Sequence, residues 1–98
     1  MLTRREILSK VPPEGRKVIR GGLALVEDFQ IEGRKDDERF EYSVLYGIAA
    51  ILSLYLPLER VCGALETLLE SNGTPMPAGA KAYLEERLFA SLRSDAEK

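Results

Sequence analysis

Three kinds of side chain in this 98-residue chain have the types that chemistry uses: carboxylates, one thiol and a set of cations. The carboxylates come as neighbours. Asp36, Asp37 and Glu38 adjoin one another, Glu85 adjoins Glu86, and Glu27, Asp28 and Glu32 precede the first set. General acid–base work needs two groups converging on one reacting atom. Adjacent residues on a helix point apart, so neither set makes such a pair by itself. A hard cation needs several oxygen ligands held by a shaped loop, and no such spacing occurs. The single cysteine, Cys62, falls among leucines at helical spacing and reads as a small buried hydrophobe. There is no histidine, which removes the commonest general base and the commonest transition-metal ligand together. Gly21-Gly22 follows no strand, so it lacks the context of a phosphate loop. The expectation is no catalytic residue, no cofactor and no metal ligand: not an enzyme.

The cations are unevenly placed. Residues 1–22 carry Arg4, Arg5, Lys10, Arg16, Lys17 and Arg20 against Glu6 and Glu14, while the rest of the chain is net acidic. The overall charge is −2. A basic segment on an acidic body can dock phosphate or pair with the body's own acids. Arg16, Lys17 and Arg20 fall within about one helical turn, and Arg4 and Arg5 could join them if the intervening prolines fold the chain back. No aromatic residue is interleaved for base stacking, so such a patch would hold phosphate backbone without reading sequence.

The elements that must position these groups are helical throughout. Thr3 and Glu6 have the spacing of a capping box ahead of Ile7, Leu8 and Val11. Pro12-Pro13 stop that first helix and place a proline in the first turn of a second. Val18, Ile19, Leu23, Val26 and Phe29 follow at helical spacing, across Gly21-Gly22, which mark either a kink or a close helix approach. Gly33 is placed as the stop, and Asp36 or Asp37 as the next cap. Tyr42–Leu58 contains no charged residue, so a central helix over about 37–56 would be apolar on all sides. Pro57 breaks it. Leu58, Val61, Cys62, Leu65, Leu68 and Leu69 then form one face of an amphipathic helix ending at Asn72-Gly73. A last helix spans about Ala78 to Arg93, with Tyr83, Leu84, Leu88, Phe89 and Leu92 inward, and residues 94–98 are expected to fray.

The uncharged run has three readings. It is shorter than the roughly 20 residues of a membrane span and contains Ser43, Gly47, Ser53 and Pro57, so a span is not expected. Read with Leu58–Leu69 it loosely resembles a helix-turn-helix. The gap is too long for that motif, and the would-be reading helix is acidic, which DNA repels. The third reading is a core helix whose remaining apolar side meets a partner. Gly47 and Ala50 let a neighbour come close, and Tyr46 and Tyr55 are of a type enriched where surfaces meet.

The sequence therefore implies an all-α fold: one domain over 1–98, a compact bundle of four main helices plus a short N-terminal one, with 1–12 a semi-independent basic arm. Its expected core is Val18, Leu23, Val26, Phe29, Leu45, Ile48, Leu52, Leu65, Leu68, Leu84, Leu88 and Leu92. One cysteine permits no internal disulfide, and no apolar stretch follows a basic start, so a cytoplasmic location is expected. The functional expectation is a protein-interaction or regulatory module, a homodimer or a docking partner of a larger protein, through Tyr46, Gly47, Ala50 and Tyr55. The alternative is a small nucleic-acid-associated regulator using Arg4, Arg5, Arg16, Lys17 and Arg20.

Overall fold

The computed structural model of the chain describes residues 2–32 and 38–96. Five helices fill the described residues in the order α1 (Arg4–Ser9), α2 (Pro13–Glu32), α3 (Glu38–Ser53), α4 (Leu58–Ser71) and α5 (Ala80–Ala96), and no strand occurs among them. The all-α bundle expected from sequence is the fold. Helix α3 lies at its centre, packed against α2, α4 and α5.

Local chemistry sets the boundaries. At the start of α1 the Glu6 N–H donates to Thr3 Oγ1 at 3.2 Å, and the Thr3 N–H donates to Glu6 Oε1 at 3.3 Å, which completes the capping box. Pro13 opens α2. Helix α3 stops at Ser53 rather than near residue 56. Pro57 has no N–H to offer the Ser53 carbonyl and biases Leu56 away from helical geometry. The chain turns instead, with the Tyr55 and Leu56 N–H groups both donating to the Leu52 carbonyl. Gly73 ends α4 with φ +74°. Its N–H donates to the Glu70 carbonyl and the Thr74 N–H to that of Leu69, the paired bonds of a glycine-terminated helix. Helix α5 begins at Ala80 rather than Ala78, because Gly79 has φ +85° and stands outside any right-handed helix. Gly33, Asp36 and Asp37, assigned above as a stop and a cap, lie outside the described residues.

The core is one continuous cluster. Leu23, Val26, Leu45, Ile48, Leu52, Leu65, Leu68, Leu84 and Leu88 are in it as expected, and Phe29 is buried. Val18 is not: it is 59% exposed, and Ile19 takes the inward position. The inward phase of α2 runs through Ile19, Leu23 and Val26, and one residue off that phase is a rotation of about 100°. The side chain of Leu92 lies outside the described residues. Ile7, Leu8 and Val11 belong to the same cluster, and α1 packs on α4. Side chains tie the α4–α5 connection to the bundle. Tyr42 donates to the Ala78 carbonyl at 2.6 Å, and Gln30 Nε2 donates to the Pro75 carbonyl at 3.0 Å.

Candidate functional site

Helices α2 and α3 lie antiparallel, and the glycines of α2 give the register. A methyl group on Gly15 would lie 3.6 Å from Ile51, and one on Gly22 would lie 2.9 Å from both Cγ1 and Cδ1 of Ile48 and 3.7 Å from Val44. Further along, the Phe29 and Phe40 rings meet edge to face with centroids 5.2 Å apart. Of the α2 glycines, Gly22 is thus the one that α3 approaches most closely. Gly21 has nothing within 4 Å of where its Cβ would be. Of the two sequence readings of this pair, close approach holds at Gly22, and α2 runs unbroken through both residues.

The same register defines an outer face. On α2 the seam with α3 is formed by 15, 22 and 29, and the core side by 19, 23 and 26. Val18 and Leu25 fall on the far side of the seam from the core. On α3 the seam is formed by 44, 48 and 51, and the core side by 45, 49 and 52. Phe40 and Gly47 fall on the far side, facing the same way as Val18 and Leu25, and Leu54 follows in the turn that ends α3. Exposure agrees with this geometry: Leu25 is 40% exposed, Phe40 52% and Leu54 72%. Half-buried Val44 and Ile51 line the seam between the two rows. Successive steps of four and three residues, at 18, 22, 25, 29 and at 40, 44, 47, 51, 54, keep an apolar row on one side of a helix. The result is a two-helix apolar face, which a globular chain usually covers.

The residues singled out from sequence are distributed as follows. Gly47 is exposed, with nothing within 4 Å of its Cβ position, and lies on the outer face. Tyr46 is half-buried and packs against the core cluster, Ala50 is half-buried, and Tyr55 is exposed in the turn after α3. Val18, Leu25, Phe40 and Leu54 were not assigned to a surface from sequence. The available signal was the four-three repeat, which runs through both helices. Among the cations, Arg4 donates from Nη1 to Ser71 Oγ at 2.8 Å and to Asn72 Oδ1 at 3.0 Å, at the C-terminal end of α4. Arg5, Lys17 and Arg20 are exposed. Arg16 is half-buried, its Nε buried with no hydrogen-bond partner among the described residues.

Elsewhere, an open groove of about 480 Å³ runs along α4, with Leu2, Gly63 and Ala64 among its apolar lining and Glu59, Arg60, Glu66 and Glu70 around it. Among the described residues no three His, Cys, Asp or Glu side chains gather to hold a metal ion, and no helix is long and apolar enough to cross a membrane. Cys62 is half-buried on α4. Burial pushes its thiol above the ordinary value of 9.0. Nearby Glu85 adds to that, Lys81 opposes it, and Glu66 adds further. Because the folded value lies above the unfolded one, the thiol contributes stability that is fully present below the unfolded pKa. That contribution is lost as pH rises through the folded pKa. Cys62 is therefore expected to react with iodoacetamide at pH 8 more slowly in the folded chain than in urea. Above pH 9, Cys62→Ala should lose less stability than the parent. Equal alkylation rates folded and unfolded would contradict the assignment.

Comparison with protein-family models, curated proteins and solved structures finds no match to this chain.

Proposed function

We propose that this chain is a non-catalytic interaction module that self-associates through the outer face of α2 and α3. The observation that carries this reading is the set of exposed apolar side chains Val18, Leu25 and Phe40 on the outer side of α2 and α3, with exposed Leu54 in the turn that follows. Isolated exposed leucines are ordinary in monomers. A contiguous apolar face of two helices is the form that helix–helix association takes. Two-fold dimers are the commonest closed assemblies, which makes a second copy the first occupant to test.

The test is sedimentation equilibrium on the parent and on Val18→Glu and Leu54→Glu. Both side chains point to solvent in the isolated chain, so helix content by circular dichroism should be unchanged. In the dimer each variant would bury unpaired carboxylates, and the dissociation constant should rise about a hundredfold or more. A parent that sediments at the one-chain mass from micromolar to millimolar concentration would overturn the reading.

A further inference from the structure

We infer that the second copy sits antiparallel across the outer face, on a two-fold axis that passes at the level of Gly21-Gly22 and Gly47, with α2 over α2 and α3 over α3 of the partner copy. The inference rests on the self-association reading above and specifies its geometry.

The first argument is the symmetry of the apolar rows. Val18 and Leu25 stand equally far before and after Gly21-Gly22, and Phe40 and Leu54, the latter one residue past the end of α3, stand equally far before and after Gly47. The seam places these two midpoints side by side, because Gly22 meets Val44 and Ile48. One axis perpendicular to the helices therefore serves both rows. It brings Val18 of one copy over Leu25 of the other, and Phe40 over Leu54. Small residues lie at the crossing, where large ones would hold the helices apart. Gly21 and Gly47 have open space at their Cβ positions, which leaves room for a neighbouring chain.

The second argument is charge. The N-terminal half of α2 carries Arg16, Lys17 and Arg20 against Glu14, a net positive charge, and its C-terminal half carries only the acids Glu27, Asp28 and Glu32. Lys17 and Asp28 are exposed, on the rim of the outer face. Antiparallel stacking sets Lys17 of each copy beside Asp28 of the other, whereas parallel stacking would set like charges together. From Tyr42 to its end α3 has no charge, so α2 decides the direction.

The third argument is area. The 20 residues of α2 extend about 30 Å and the 16 of α3 about 24 Å, and at about 10 Å of width each they form a strip of about 540 Å² per copy. Doubled, that is about 1,100 Å², just above the roughly 1,000 Å² a specific interface needs.

The test is cross-linking in a Cys62→Ala background, with sedimentation of the same proteins. Gly21→Cys places a thiol beside the axis and should close to a disulfide-linked dimer under mild oxidation. Ile31→Cys, exposed near the far end of α2, should not. In parallel, Lys17→Asp and Asp28→Lys should each raise the dissociation constant about tenfold, and the double variant should return it to that of the parent. A dimer in which Ile31→Cys links and Gly21→Cys does not, or in which the charge exchange fails to restore affinity, would overturn this geometry and leave self-association standing. A monomer at every concentration would overturn both.

Discussion

Leu52→Ala is expected to remove about 2–5 kcal/mol of unfolding free energy, the range for truncating a leucine inside a packed core. Leu52 is fully buried on the central helix, within the one cluster that α1 to α5 share. Its carbonyl also accepts the Tyr55 and Leu56 N–H groups that close the turn into α4. The backbone bonds survive the substitution, so the loss comes from the vacated volume and how little the neighbours can collapse into it. For a domain whose whole stability is about 5–15 kcal/mol, that is a large fraction. Urea unfolding should show a lower midpoint with an unchanged slope. Ile31→Ala serves as the control. Ile31 is 74% exposed, and its truncation should change stability by no more than about 0.5 kcal/mol. Equal losses at Leu52 and Ile31 would contradict a core centred on α3.

The parts of this fold that could be read from sequence are those fixed by neighbours along the chain. Thr3 and Glu6 cap a helix because they are three residues apart, Pro13 opens one because its ring presets the backbone, and Gly73 ends one because it alone reaches the left-handed region easily. The phase of a helix against the core is a different kind of fact. Val18 and Ile19 are adjacent β-branched residues, and the spacing to Leu23 and Val26 admits either. What decides between them is the contact of Gly22 with Ile48, twenty-six residues away. In α3 the ambiguity is larger, because a run that is apolar on every side has no polar face to orient it. Gly47 and Tyr46 read alike from sequence, yet Gly47 has open space at its Cβ position, whereas Tyr46, the residue beside it, packs against the core. Helix ends were displaced for a similar reason: the turn at Leu54–Leu56 is fixed by hydrogen bonds to Leu52 together with Pro57, which the apolar pattern does not encode.

The candidate surface follows from the same contact. Ile48 of α3 lies against the backbone of α2 at Gly22. That contact sets how near the two sides of the seam, Val18 with Leu25 and Phe40 with Leu54, come to each other. A larger residue at position 22 would part the helices and separate the rows. Close packing inside the chain and apolar exposure outside it are thus consequences of one glycine.

Gly22→Ala is accordingly expected to destabilise the chain by about 1–3 kcal/mol, against the usual sign of the substitution. In an open helix interior, Gly to Ala gains up to about 1 kcal/mol through backbone entropy and propensity. At Gly22 the new methyl would stand 2.9 Å from two carbons of Ile48, which is itself only 2% exposed and has little room to turn. Either Ile48 leaves its rotamer or α3 moves outward, and overpacking of this kind outweighs the propensity gain. Ile48→Val removes Cδ1, one of the two clashing atoms. Alone it should cost about 0.5–1.5 kcal/mol as a lost methyl group. Combined with Gly22→Ala it should cost less than the sum of the two, because the space one vacates is the space the other needs. A double-mutant cycle by urea unfolding, at a concentration low enough to keep every variant monomeric, measures that coupling. Additive losses would mean that position 22 does not press on Ile48, and with that the register of α2 on α3 would have to be redrawn.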